Sequence, residues 1–172
     1  MKKHLLAIPD LCTGCNRCRY VCSAIKENVF QPRRARVDVG NFPALGYSVP
    51  LICLQCNKPE CLEACPEGAL VKNDDGVVIV IEEKCSGCGD CARACSYGMI
   101  EINHLGKAFK CDHCGGHPGC VDECEPGALI YAAPDKDQMK IRGRQMKARI
   151  SDGTPREKRQ HRAQKLLFEN RR

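Results

Sequence analysis

Residues 85–95 read Cys85-Ser86-Gly87-Cys88-Gly89-Asp90-Cys91-Ala92-Arg93-Ala94-Cys95, four cysteines spaced C-x2-C-x2-C-x3-C. The same spacing recurs near the start, at Cys12, Cys15, Cys18 and Cys22. Two further groups lengthen the middle gap: Cys53, Cys56, Cys61, Cys65 and Cys111, Cys114, Cys120, Cys124. Together they use all sixteen cysteines of the 172-residue chain. Soft thiolates in fours select iron–sulfur clusters or zinc over hard cations.

The spacing favours iron. Three cysteines a few residues apart let a tight loop wrap one corner of a cubane, with backbone N–H groups turned to the sulfurs. The fourth lies on the helical turn that follows and, in two-cluster ferredoxins, ligates the other cluster. Zinc sites usually split into two C-x2-C knuckles a dozen or more residues apart, and no such gap occurs within these groups. A disulfide scaffold is not needed at this length. The start, Lys2-Lys3-His4-Leu5-Leu6-Ala7-Ile8-Pro9 after Met1, has too short an apolar run for a secretory signal. The longest aliphatic run, Val77 to Ile81, cannot span a membrane. A reducing, cytoplasmic setting is the expectation.

Three groups share a tail. Pro66-Glu67-Gly68-Ala69-Leu70, Ser96-Tyr97-Gly98-Met99-Ile100 and Glu125-Pro126-Gly127-Ala128-Leu129 each place glycine three residues after the last cysteine, then two apolar residues. Glycine lets the chain turn off the short helix. The first group departs, because Ser23-Ala24-Ile25-Lys26 has no glycine, which leaves its exit path open. Asp74-Asp75-Gly76 signals a hairpin turn, with Val77–Ile81 as the following strand.

Residues 53–95 thus read as a complete two-cluster unit. If its two groups pair, the outer groups must pair with each other. The expected ligand sets are Cys12, Cys15, Cys18 with Cys124; Cys111, Cys114, Cys120 with Cys22; Cys53, Cys56, Cys61 with Cys95; and Cys85, Cys88, Cys91 with Cys65. A rival wiring pairs the first group with the second and the third with the fourth. The expected fold class is α+β: two pseudo-symmetric bacterial ferredoxin-like modules, one nested inside the other. Residues 1–52 and 96–133 form the outer module, 53–95 the inner, and 134–172 a basic helical extension.

Over residues 1 to about 133 this arrangement resembles the four-cluster [4Fe–4S] electron-transfer subunits of molybdenum and tungsten bis-pterin oxidoreductases, the dimethyl sulfoxide reductase type and its relatives. Nested pairing is that family's pattern. Related subunits serve formate dehydrogenases, hydrogenases, carbon monoxide dehydrogenases and tungsten aldehyde oxidoreductases. All sixteen cysteines are present and insertions are minimal. The compact Cys111-Asp112-His113-Cys114-Gly115-Gly116-His117-Pro118-Gly119-Cys120 is most similar to the aldehyde oxidoreductase form. The resemblance implies a catalytic Mo/W-pterin subunit as one partner. A second redox subunit, flavin- or NAD-binding, or a ferredoxin would be the other.

The formal charge of +6 counts cysteines as neutral. Residues 134–172 hold thirteen Lys/Arg and five Asp/Glu, or +8, and residues 1–133 carry −2. Each oxidised cubane with four thiolates adds about −2, so an acidic redox body carries a basic tail. With so few aromatics and no Trp, clusters would fill much of the core and couple metal binding to folding. In the tail, Thr154-Pro155-Arg156-Glu157 is a capping box opening a helix from Pro155 to about Asn170. Ala163, Leu166 and Leu167, with Phe168 at its edge, form its one apolar stripe. Gln138 to Ile150 is a second helical stretch, interrupted by Gly143. Such a helix is marginal alone, so the tail reads as an arm docking on a partner or on another copy of the chain, against the plainer reading of a solvated basic extension. No recognition fold or aromatic platform supports nucleic-acid binding.

Arg17, Arg19, Lys58, Lys84, Arg93 and Lys110 sit in or beside the cysteine groups, where cations would raise a cluster's potential or simply be surface charge. His113 and His117 read as loop residues, because four cysteines already suffice. No phosphate loop, dinucleotide fingerprint, HExxH motif or nucleophile elbow is present. The chain reads as an electron relay without substrate chemistry of its own. The alternatives are a free polyferredoxin and, in another class, a zinc-stabilised structural or nucleic-acid-binding module.

Overall fold

The computed structural model describes residues 2–170. Met1, Arg171 and Arg172, the last two counted in the tail's charge, lie outside them. The elements run β1 (His4–Ala7), α1 (Arg17–Glu27), β2 (Asp38–Phe42), β3 (Tyr47–Leu51), α2 (Glu60–Glu63), β4 (Leu70–Lys72) and β5 (Val78–Val80). There follow α3 (Asp90–Ala94), β6 (Ile100–Ile102), β7 (Ala108–Lys110), α4 (Gly119–Asp122), β8 (Leu129–Ala132), α5 (Lys136–Lys147) and α6 (Pro155–Asn170). The class is α+β, with strands paired as four two-stranded antiparallel sheets, β1–β8, β2–β3, β4–β5 and β6–β7.

The hairpin expected at Asp74-Asp75-Gly76 is β4–β5, with Val71 opposite Ile79. Asn73 closes its turn, since its side chain accepts from the Val77 N–H at 2.8 Å while Gly76 takes φ 78°. A second hairpin, β6–β7, repeats the device: Asn103 accepts from the Lys107 N–H at 2.9 Å and Gly106 takes φ 71°. The shared Asn-x-x-Gly was legible at 73–76 and 103–106 and announces both turns. Because β6 pairs with β7 and β3 with β2, the sheets do not draw two equal copies of one module. β1 and β8, with Leu5 opposite Tyr131, join the two ends of the cysteine-bearing region.

The first cysteine group leaves differently from the others because its helix does not stop. α1 runs eleven residues and ends at Asn28, whose φ of 54° supplies the left-handed cap that glycine would otherwise give. The other three helices are one short turn each, and Gly68, Gly98 and Gly127 take φ 58°, 65° and 69°.

The tail corrects two expectations. α5 is continuous through Gly143, whose missing Cβ faces open space. A mid-helix glycine costs only about 1 kcal/mol, and the Asp135/Gln138 capping box and buried Arg142 and Gln145 hold the helix. α6 starts with the expected box, Thr154 N–H donating to Glu157 at 2.8 Å and Glu157 N–H to Thr154 Oγ1 at 3.3 Å. Its apolar stripe, however, is not free to dock elsewhere. Ala163, Leu166 and Leu167 are buried and α6 packs on this chain's own β2 and β3, while Phe168 stays exposed. Each leucine so covered contributes about 1.5–3 kcal/mol. The reason is Gly40, where a Cβ would stand 2.4 Å from that of Ala163 and hold the helix off.

Candidate metal centres

The sixteen thiols gather across the chain rather than along it. Burial pushes Cys18 up to about 12, and Cys12, Cys124 and Cys15 push it further the same way. Cys12 is raised by burial, eased by the Gly14 N–H, then raised again by Cys124 and Cys15. Burial raises Cys120 strongly, with Cys111, Cys22 and Cys114 adding to it. Burial lifts Cys61 to about 12 and Cys56 to about 11, and each also feels Cys53 and Cys95. Cys91 rises to about 11 through burial, against the Ala92 N–H, with Cys65, Cys85 and Cys88 around it. In each quartet, three cysteines of one group meet the fourth cysteine of another. The quartets are 12/15/18/124, 111/114/120/22, 53/56/61/95 and 85/88/91/65.

Local backbone explains how the fourth cysteine is presented. The turn at Gly68 brings the Ala69 N–H onto Cys65 Sγ at 3.3 Å. Gly98 and Gly127 do likewise for Met99 onto Cys95 at 3.5 Å and Leu129 onto Cys124 at 3.2 Å. Cys22, with no glycine tail, accepts from Arg36 N–H at 3.2 Å instead. Sulfur that accepts N–H bonds carries negative charge more easily.

The quartets also stand in a row. Cys18 lies within electrostatic reach of Cys120, and Cys53 within reach of Cys111. Cys61 and Cys95 share one apolar cluster with Cys65, Cys85 and Cys91. The order is therefore 12/15/18/124, then 111/114/120/22, then 53/56/61/95, then 85/88/91/65. Cys15 and Cys88, in the two end quartets, are the exposed members of the sixteen.

Charge around the row is uneven. Of the six cations flagged from sequence, Lys110 is buried, Arg19 half-buried, and Arg17, Lys58, Lys84 and Arg93 exposed. Arg17 pairs with Glu123 and Glu125, and Arg93 with Asp90. Sequence reasoning missed three others. Arg142, Lys158 and Arg162, all on the tail, are 5%, 2% and 0% exposed. It also missed Gln55, a buried non-glycine residue at φ 44°. Gln55 accepts from the Val78 N–H at 2.9 Å and donates to the Cys111 carbonyl at 2.7 Å, tying the second group's loop to the fourth's. Only its place inside a C-x2-C loop hinted at this. His113 is buried edge-on to Tyr131, ring centroids 5.2 Å apart, and His117 is exposed. A cavity of about 240 Å³ lies off the quartets in a cleft lined by Arg19, Arg33, Arg36, Arg156 and Arg159 with Asp38 and Glu101.

A family model described as a 4Fe-4S dicluster domain matches residues 45–134, and one described as a 4Fe-4S binding domain matches residues 9–25. The chain belongs to the 4Fe-4S dicluster family. Among its relatives, the polyferredoxin-like subunit of aliphatic sulfonate oxidoreductase from Pyrococcus furiosus is 42% identical over 123 residues, 70% of either chain. A subunit of the anaerobic dimethyl sulfoxide reductase from Escherichia coli is 32% identical over 144 residues, 73% of this chain and 70% of that one. A subunit of the BamBC active-site complex of benzoyl coenzyme A reductase aligns with TM-score 0.47 and 29% identity, over 81% of this chain and 85% of that one.

This dicluster protein carries multiple [4Fe–4S] clusters and is an iron–sulfur electron-transfer subunit of the oxidoreductase type. Its own residues fit that cofactor. No three His, Cys, Asp or Glu side chains among the described residues converge tightly enough for a single ion. Among the described residues Arg162 Nε is buried without a hydrogen-bond partner, as expected of a donor beside an anion that the protein does not itself supply. No helix among the described residues is long and apolar enough to cross a membrane.

Proposed function

We propose that the chain carries four [4Fe–4S] clusters and relays single electrons between a catalytic Mo/W-pterin oxidoreductase subunit and a second redox subunit or carrier. What supports this reading is the succession of neighbouring thiol groups, whose exposed members, Cys15 and Cys88, fall in the first and last of them. Such a row offers one end to a donor and the other to an acceptor. When bound, each cluster supplies a one-electron site. The protein's part is to hold thiolates in order and give them N–H donors.

The ligands are Cys12, Cys15, Cys18 and Cys124; Cys111, Cys114, Cys120 and Cys22; Cys53, Cys56, Cys61 and Cys95; Cys85, Cys88, Cys91 and Cys65. Residues 1–52 and 96–133 make an outer module around an inner one of 53–95, and β1–β8 pairing supports the closure of the outer one. The basic segment 134–172 is a brace on this body. The compact fourth loop favours an aldehyde oxidoreductase as partner, with the reducing cytoplasm as compartment. The experiment is to purify the chain with its associated subunits from its own cells. A brown protein that dithionite bleaches, with about sixteen iron atoms per chain and a pterin-bearing companion, is expected. A colourless zinc protein, or a brown one isolated alone, overturns the reading.

A further inference from the structure

Buried charge needs a partner of opposite sign or it is not buried. Lys110, Arg142, Lys158 and Arg162 are 6%, 5%, 2% and 0% exposed, yet none forms an ion pair with a carboxylate among the described residues. They bond instead to carbonyl oxygens. Lys110 Nζ donates to Val78 O at 2.6 Å and Cys111 O at 2.8 Å. Arg142 donates to the carbonyls of Leu54 and Gln55. Lys158 Nζ donates to Arg93 O at 2.7 Å and Cys95 O at 3.3 Å, and Arg162 Nη1 to Ile52 O at 3.2 Å.

All four surround one quartet. Arg162 feels Cys95, Cys53 and Cys56; Arg142 feels Cys56 and Cys53; Lys110 acts on Cys61. Lys158 binds the carbonyl of Cys95 itself. Glu60, the carboxylate that acts on Cys56, is engaged by Arg149 and Ser96. The other quartets lack this shell. Near Cys114, Lys26 is neutralised by Asp112 at 2.6 Å, and Lys110 reaches Cys111 from the shared wall. Beside the end quartets, Arg17 and Arg93 are exposed and paired, while Lys107 donates to Cys85 O at 2.6 Å.

We propose that the four buried cations make the 53/56/61/95 site the highest-potential member of the row, the place where an electron rests, and that the C-terminal segment is the device that sets this. This inference rests on the four-cluster reading and its ligand sets. Taking one electron from a one-electron reductant such as dithionite adds one negative charge among these four sulfurs, with no proton moved. Fixed cations favour that added charge, and buried ones are little screened by water. Three of the four come from residues after 133, so α5 and α6 tune a site formed by the inner cysteines.

The test is a redox titration of the full holo protein followed by electron paramagnetic resonance, with iron counted per chain. Cys61→Ser should abolish the signal of highest midpoint. Arg162→Gln and Lys158→Met should each make that site about tenfold harder to reduce, ~59 mV lower for one electron, and leave the other midpoints in place. Arg162→Lys should restore it, and exposed Lys140→Gln should change nothing. Should Arg162→Gln fail to assemble beside Tyr97, Lys158→Met decides. A full iron count with the top midpoint unmoved overturns this inference alone, as does loss of a lower-midpoint signal in Cys61→Ser. An iron count well below sixteen strikes instead at the four-cluster reading on which it stands.

Discussion

Gly40 on β2 and Ala163 on α6 meet so closely that a Cβ on the glycine would lie 2.4 Å from the alanine methyl. Neither can grow without moving the helix. Gly40→Val should therefore lift α6, expose Leu166 and Leu167, and destabilise the holo protein by about 1–3 kcal/mol. Thermal loss of visible absorbance and proteolysis within 155–170 report it. An unchanged melt and an intact C-terminus would mean that the contact has slack.

The stripe beneath α6 can be tested without touching the strand. Leu166 is 2% exposed, so Leu166→Ala should cost about 2–5 kcal/mol. Exposed Phe168→Ala should cost under about 0.5 kcal/mol. Equal effects in denaturant melts would contradict the packing described.

Gln55 bridges three elements. Gln55→Leu leaves the Val78 N–H without its partner, takes one of two donors from the Cys111 carbonyl and removes one acceptor from Lys110. Each such buried group left unmatched costs about 1–3 kcal/mol. The variant should assemble with less iron in the second and third quartets, read by iron content. Full loading at wild-type stability would show that the bridge is dispensable.

The proposed ligation across the groups makes a sharp genetic prediction. Cys124→Ser and Cys12→Ser should remove the same paramagnetic signal, whereas Cys22→Ser should remove the one lost in Cys120→Ser. If Cys22→Ser instead removes the signal of Cys56→Ser, the rival wiring of first group with second is correct.

Stripping the metal should undo more than the sites. Burial holds Cys18, Cys56 and Cys61 as neutral thiols, so without clusters Arg142, Lys158 and Arg162 face no countercharge. The apo chain should lose near-ultraviolet circular dichroism and release α6 to protease. A packed apo state with a protected tail would show that the cations are content without the cluster.

Much of this was legible in the cysteines. Their spacing pointed to the metal, and the glycine tails to the exits of three groups, because each encodes a local geometry a few residues long. The α6 capping box is local too. What was not legible is long-range. Arg162 looks in sequence like one more cation on a polar helix, and only packing against Ile52 and Tyr97 makes it a buried charge. The tail's stripe said that it would dock; the partner was decided by a glycine more than a hundred residues away. The second hairpin was missed although Asn103 and Gly106 repeat Asn73 and Gly76.

The antiparallel seam of β1 with β8 has a consequence for how the protein is made. On a ribosome, with the wiring proposed above, Cys12, Cys15 and Cys18 emerge first but must wait for Cys124, while the cysteines from Cys53 to Cys95 are all present earlier. The inner quartets can be filled while the outer ones still gape. The last helix to emerge then brings the cations that seal the third. Synthesis from the N-terminus thus imposes an assembly calendar in which the earliest thiols, Cys12, Cys15 and Cys18, stay unligated the longest.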